Sequence, residues 1–354
     1  MARYRLFGDR VVLTEDAKLI MAEDLEALAR RVAEGWDINA LMQVSVYTRE
    51  LPISIALIEN KLRVADFLME RGADLNVEGS PAIVSAARNC TAETLRRLAA
   101  HGAKIDARDN VGKNAYSAAL YSDRYDLLPV IAELGLKAEA DGGCAFRQAV
   151  YNRQYRAVEF FIAQGIDVNL HAPNQVFPYN STPLAVAAAS GELPMVKLLV
   201  EHGAGVLLTD AYGYRPYHEA ARHGHAEVQA YLKNLEPAEL HDEELRAKGL
   251  AGEGVPAALI ELLRSDGRRM ELGDSNIGGV RFHPVTDVPE INWQGRRFFD
   301  LLAKADNYGA EGLLVWSPAD GKLAYADFEH GEFHVLSTWE EFIADPGKWW
   351  DDLL

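Results

Sequence analysis

Cysteine is scarce. Cys90 and Cys144 are the only two in 354 residues, and neither belongs to a CxxC pair, so neither a disulfide framework nor a zinc site is indicated. Long apolar runs are also missing: no stretch approaches the roughly 18 residues of a membrane-spanning helix. The N-terminus, MARYRLFGDRVVLTED, has early basic residues but no apolar run of signal-peptide length. A reducing cytoplasm is the expected setting. Positive charge is in short supply, with 36 Lys and Arg against 53 Asp and Glu and a formal net charge of −17. Nucleic acid and anionic membrane surfaces are both disfavoured as partners, because binding either depends on Lys and Arg. A basic protein, steered in by the long-range field, fits the charge.

What the chain does have is a repeat. Pro183 and Pro216 stand 33 residues apart, and so do Gly191 and Gly224. An amphipathic helix followed by Gly and a short hydrophobic-polar finger appears as EGWDIN at Gly35, RGADLN at Gly72, HGAKID at Gly102 and LGLKAE at Gly135. It returns as QGIDVN at Gly165 and HGAGVL at Gly203, the successive spacings being 37, 30, 33, 30 and 38. A period of this length is the mark of a stacked-repeat protein. The helix before each finger places apolar residues at i, i+3 and i+4, as in VKLLVEH and TLRRLAAH. The other helix is Ala-rich (LAVAAAS, HEAARHG, IVSAARN), which lets neighbouring units approach closely. No unit can bury its own face, so stacking is obligatory.

These residues resemble the ankyrin repeat family. TPLAVA at Thr182–Ala187 and RPYHEA at Arg215–Ala220 are similar to its T-P-L-H-x-A signature. The resemblance covers about residues 15–235, while GKNAYSAAL at Gly112 and GGCAFRQAV at Gly142 lack the Pro. The predicted organisation is a helical solenoid over 1–235, with six fingers and a final helix pair, then a capping helix and linker over 236–255. After it comes a small α+β domain with an antiparallel sheet over 256–354. In that last segment GLLVW, KLAYADF and EFHVL read as strands separated by Asp320-Gly321 and His330-Gly331 turns. STWEEFIADP reads as a helix capped by Thr338 with Glu341 in capping-box position. Its Trp339, Phe342 and Ile343 are expected to pack on the strands. Upstream, PAALIELLR and GRRFFDLLAKA read as helices and GVRFHPV as a strand.

The segment is acidic, with 18 Asp and Glu against 9 Lys and Arg. LAYADFEHGEFHVL followed by STWEEFIAD looks like the closing strands and last helix of the SUKH (Smi/Knr-like) superfamily. That resemblance implies a bacterial immunity protein that binds and neutralises a toxin. The family's aromatic-Gly-Gly turn is not visible.

No catalytic constellation emerges, and no cofactor or metal is expected. GLAGEG at Gly249–Gly254 lacks a preceding strand and a Lys, and there is no GxSxG. His330, Glu332 and His334 alternate, but Gly331 marks a turn between them. His223 and His225 fall where ankyrin units carry turn-forming residues. Binding surfaces are the better prospect. Tyr121, Tyr125, Tyr151 and Tyr155 end the first helix of two successive units, with Asp123, Arg124, Asn152 and Arg153 among them. Tyr and Arg are enriched in interface hot spots. Phe177 and Tyr179 sit in an inserted loop at a finger tip, where binding residues tend to be found. Asp327, Glu329 and Glu332 surround one hairpin turn and suit a basic toxin or effector. The sequence therefore predicts a non-enzymatic protein binder, either an immunity protein or a general adaptor or scaffold with an accessory β-rich domain.

Overall fold

Each landmark glycine of the repeat turns left-handed: Gly35, Gly72, Gly102, Gly135, Gly165 and Gly203 have φ between +81° and +109°. Glycine alone takes that conformation without a Cβ clash, which is why it closes the helix before every finger. The computed structural model describes residues 12–351 apart from 175, 273–276, 308, 310, 311, 313, 328 and 329. Packing divides the chain into two units.

The first unit runs to Asp167 and includes Asn174–Val176. Its helices are α1 (Glu15–Ala22), α2 (Leu25–Ala33), α3 (Pro52–Ile58), α4 (Leu62–Glu70), α5 (Ala82–Asn89) and α6 (Ala92–Ala100). They continue as α7 (Ala115–Tyr121), α8 (Leu128–Glu133), α9 (Ala138–Asp141), α10 (Gly143–Tyr151) and α11 (Tyr155–Ala163). A hairpin of β1 (Met42–Gln43) and β2 (Arg49–Glu50) precedes α3. The Ala-rich helices stack in sequence, α3 on α5, α5 on α7 and α7 on α10. Ala86, Ala119 and Ala149 are completely buried in them. The alternate helices bury one stripe each, Leu95 and Leu98 in α6 and Val158 and Phe161 in α11. Each such side chain contributes roughly 1.5–3 kcal/mol relative to exposure. Where the signature Pro is missing, other devices start the helix. Asn114 accepts from Ser117 N at 3.2 Å. Gly142 follows α9 so closely that a Cβ would lie 2.5 Å from Ala138 O.

Fingers are joined by an asparagine at their tips. Asn39 Oδ1 accepts from Asp74 N at 2.8 Å, and Asn76 Oδ1 from Lys104 N at 2.7 Å. Asn76 Nδ2 also donates to Gly102 O at 2.9 Å. Sequence reasoning passed over this residue, although it is the last letter of DIN, DLN and DVN.

The second unit comprises Val168–Pro173 and everything from Phe177. Two helix pairs open it: α12 (Pro183–Ala189) with α13 (Leu193–Glu201), and α14 (Pro216–Arg222) with α15 (Ala226–Lys233). Thr182 caps α12 by accepting from Ala185 N at 3.1 Å, with Pro183 at the first helical position, where a missing N–H costs nothing. Asn169 repeats the tip contact, accepting from Gly205 N at 2.7 Å and donating to Gly203 O at 3.0 Å. Residues 236–255 hold a 3-10 turn at Ala238–His241 and helix α16 (Glu243–Gly252).

Beyond α17 (Ala257–Arg264) the chain becomes β: β3 (Arg269–Glu271), β4 (Gly279–Phe282), β5 (Glu290–Trp293), β6 (Arg296–Asp300) and β7 (Leu302–Ala305). Then follow β8 (Val315–Ser317), β9 (Lys322–Asp327), β10 (Glu332–Val335), α18 (Trp339–Ala344) and α19 (Pro346–Asp351). A five-stranded antiparallel sheet has the order β10-β9-β8-β6-β5, and a three-stranded one β3-β4-β7. The fold class is the expected one, a helical repeat region followed by a region with antiparallel sheets.

The capping box forms as expected, Thr338 Oγ1 accepting from Glu341 N at 3.3 Å and Glu341 Oε2 from Thr338 N at 3.0 Å. Trp339 and Phe342 are buried, but Ile343 is exposed. GRRFFDLLAKA is not a helix. It forms β6 and β7, entered through a tight turn in which Gln294 (φ +50°) and Gly295 (φ +74°) are both left-handed. The apolar run misled because its strands are buried on two faces. Phe298 packs with Ile291, Val315 and Ala324 on one side, while Phe299, Leu301 and Leu302 join the main core on the other. A short, continuously apolar run does not separate strand from helix by periodicity. Among the described residues, no helix is long and apolar enough to cross a membrane.

Candidate functional site

The tyrosine-bearing loops come together in the first unit through a residue that sequence reasoning missed. Gln154, buried, donates from Nε2 to Leu120 O and to Asp123 Oδ1, both at 3.0 Å. Asp123 is left-handed (φ +53°) and also accepts from Tyr125 Oη at 2.8 Å. Arg124 turns onto Asp126 at 3.3 Å. Asp123, Arg124 and Tyr125 are therefore engaged in holding the loop. Tyr121 and Tyr151, in contrast, stand 62% and 63% exposed at equivalent positions of successive units. The Tyr121 ring has Arg88 at 4.6 Å and Lys113 at 5.3 Å from its centroid, a cation-flanked aromatic surface. Asn152 and Arg153 are exposed beside Tyr151, Arg153 with φ +60°, and Tyr155 is half-buried at the start of α11.

In the second unit Tyr179 lies 5.3 Å from the Tyr212 ring and its carbonyl accepts from Ala211 N at 2.9 Å. The inserted loop is thus packed on the next finger, with Phe177 half-buried beside it. Asp327 accepts from His330 N at 2.9 Å, and its Oδ2 lies 2.7 Å from His330 Nδ1, so this carboxylate shapes the hairpin turn. Glu332, opposite it in register, is exposed. Glu329 lies outside the described residues. His334 stacks against Tyr325, and His225 Nε2 sits 3.0 Å from Ala189 O, bridging consecutive units.

A second assembly was not foreseen at all. The last repeat meets the sheets through buried polar side chains. Tyr214 Oη donates to Asp300 Oδ2 at 2.8 Å, and Tyr217 Oη to Asp287 Oδ1 at 3.2 Å. Asp300 also accepts from Leu302 N at 3.2 Å. Arg215 Nε donates to Glu236 Oε1 at 3.0 Å, while His241 Nε2 is 2.9 Å from Glu236 Oε2, off the line a hydrogen bond needs. Burial pushes Asp300 up to about 6 even though the Tyr214 hydroxyl favours its carboxylate. Burial, with Glu219 nearby, takes Asp210 up to about 7. Burial and then the Arg222 charge lower His283 to about 3, and burial and then Arg215 hold His218 well below its ordinary value. Both imidazoles are neutral. Directional bonds between buried groups lock the last repeat to the sheets, since an unpaired partner would bear the full desolvation cost. The contacts link residues 70 and 86 positions apart, so no local signal announces them.

Comparison with known proteins addresses the repeats. A family model described as Ankyrin repeats (3 copies) matches residues 146–242. The helical region is built of ankyrin repeats. The chain is similar to the ankyrin repeat and KH domain-containing protein mask-1 of Caenorhabditis elegans, 27% identical over 186 residues, covering 52% of this chain and 7% of that protein. It is 25% identical over 183 residues to the transient receptor potential cation channel subfamily A member 1 of Homo sapiens, covering 48% of this chain and 16% of the channel. A putative ankyrin repeat protein of Acanthamoeba polyphaga mimivirus is 33% identical over 87 residues, 25% of this chain and 40% of the relative. The chain thus spans a small part of the first two relatives and under half of the third. Among solved structures, the ankyrin repeat domain of Bcl-3, a member of the IkappaB protein family, covers 52% of this chain and 86% of its own at 23% identity and TM-score 0.45.

Proposed function

We propose that this chain is a protein-binding adaptor whose ankyrin repeats present the partner surface and whose α+β region is an accessory module fixed to the last repeat. Ankyrin repeats are protein-interaction modules, and the observation that carries the reading is the pair Tyr121 and Tyr151. Both rings are about two-thirds exposed at the ends of α7 and α10, beside loops clamped by the bond from the buried Gln154 to Asp123. A large aromatic surface held on a rigid scaffold loses little entropy on binding. The reading involves no catalytic step, and a reducing cytoplasm suits it. Toxin neutralisation rests on the resemblance of residues 256–354 alone, and what the comparisons match, the repeats, favours the adaptor.

Affinity purification of the intact chain from its native cell, beside a Tyr121→Ala/Tyr151→Ala variant, tests the proposal. A protein that co-purifies with the wild type and is lost from the variant, with helical circular dichroism unchanged, is the expected result. Equal recovery on both chains would remove these loops from the partner surface.

A further inference from the structure

A cleft of about 560 Å³ opens in the second unit between α14 and the three-stranded sheet. Its lining is cationic in a chain that is strongly acidic overall: Arg222, Arg268, Arg281 and Lys304 face it, against a single carboxylate, Asp287. Asp287 is already engaged, accepting from Tyr217 Oη at 3.2 Å and from Thr286 Oγ1 at 2.9 Å. Arg222 is held by Glu219 at 3.0 Å and lies over the Tyr214 ring, which fixes it at one wall.

The sheet wall is the unusual part. Arg269, Arg281 and Lys304 are paired across β3, β4 and β7, so three cations stand in one cross-strand row. Like charges directly opposite destabilise a sheet. Arg269 is neutralised by Glu271 and by Asp306, each at 2.7 Å, and Lys304 also feels Asp306. Arg281 has no carboxylate within ion-pair range among the described residues. Compensation thus reaches the two ends of the row and not Arg281 at its centre, and a local rule broken in this way is expected at functional positions. His283 lines the cleft with a ring that is itself buried, 4% exposed.

We propose that this cleft binds an acidic peptide segment of a protein partner, its carboxylates on Arg281, Lys304, Arg268 and Arg222. The proposal rests on the adaptor reading only in taking the occupant to be part of a protein. A segment with a few negative charges suits the site better than nucleic acid, because a short segment meets the local patch while a long polyanion also meets the surrounding negative field. This surface is opposite in sign to the acidic hairpin of β9 and β10.

The test is fluorescence anisotropy of the full chain with a labelled ten-residue Glu/Asp peptide and its Gln/Asn counterpart. Saturable binding of the acidic peptide alone is expected. Arg281→Gln/Lys304→Gln should weaken it about tenfold, the loss of two surface ion pairs within their usual worth. Both residues are exposed, and their removal relieves the like-charge row, so the melting temperature should hold or rise. Arg281→Lys should retain most of the binding. No saturable binding by the wild type, or equal binding by the double variant, overturns the proposal. Displacement by inorganic phosphate as effective as by unlabelled peptide, or equal affinity for an oligothymidylate of matched charge, overturns the peptide assignment. Each outcome is read without a native partner, so co-purification through Tyr121 and Tyr151 succeeds or fails independently.

Discussion

Removing one oxygen from Tyr214 tests the buried junction. In Tyr214→Phe the ring keeps its place under Arg222, 4.5 Å from the guanidinium carbon, and only the 2.8 Å bond to Asp300 is lost. Asp300 is fully buried, so no water replaces the donor. A hydrogen bond to a charged group contributes about 1.5–3 kcal/mol and one between neutral groups about 1 kcal/mol. Which applies depends on pH. Asp300 sits near 6 in the folded chain, above the roughly 3.9 of an unfolded Asp. Between those values the folded chain holds more protons, so stability falls as pH rises through that window. The Tyr214 hydroxyl limits the fall because it favours the carboxylate. Without it Asp300 moves higher still, and a rise of about one unit adds about 1.4 kcal/mol of destabilisation above that pKa. Tyr214→Phe should therefore cost about 1 kcal/mol near pH 5 and about 2 kcal/mol or more near pH 8. At roughly 3 °C per kcal/mol for a unit of this size, the melting shifts are about 3 °C and about 6 °C. His283, lowered to about 3, acts in the opposite sense, because its unfolded form takes up the extra proton and stability rises with pH there. It acts equally in both chains, so the difference between them isolates Asp300. A shift that is the same at both pH values, or larger at the acid end, would refute the assignment of the charge.

Three further substitutions probe the repeats. Ala187→Leu inserts bulk where Ala187 is fully buried between α12 and α14, and overpacking should cost roughly 1–3 kcal/mol in thermal or urea melts; a neutral shift would mean that the helices do not stack there. Asn76→Ala removes two finger-to-finger bonds and Asn169→Ala its two counterparts, so each should cost about 1–2 kcal/mol by the same melts, and a wild-type midpoint for both would leave the tip asparagines without a structural role.

The helical repeats were readable because their signals are local. A glycine that must be left-handed, an Ala-rich face that must stack and a Thr-Pro pair that starts a helix are each complete within a few residues of chain. The hairpins at Gly321 and Gly331 and the cap at Thr338 were readable for the same reason. GRRFFDLLAKA was misread because its identity depends on what covers it: with cores on both faces, a strand loses the alternation that would have revealed it. Gln294-Gly295 added to the error, since Gln is not among the residues that advertise a hairpin turn. The proposed surface was divided by the structure on similar grounds. Tyr121 and Tyr151 remain open, but Asp123 and Tyr125 are committed to the loop through Gln154, a side chain between Arg153 and Tyr155 whose partners lie 31 and 34 positions away.

Net charge describes only part of what a partner meets, and the reason is physical. A formal −17 describes the field at distances beyond a screening length of about 8 Å, where it governs encounter. Within that length only neighbours count, and folding chooses them. The strand pairing that sets Arg281 opposite Lys304 brings together residues far apart in an acidic segment, while Asp306 and Glu271 are drawn to Arg269. Elsewhere in the same region, Asp327 turns its carboxylate inward to hold a hairpin and Asp300 is sealed beneath Tyr214. These two acidic side chains are thus bonded in a turn and a junction, while Arg281 and Lys304 line a cleft. A chain of one overall sign can in this way carry a recognition surface of the other, and the sign of a partner has to be read from what each charge touches.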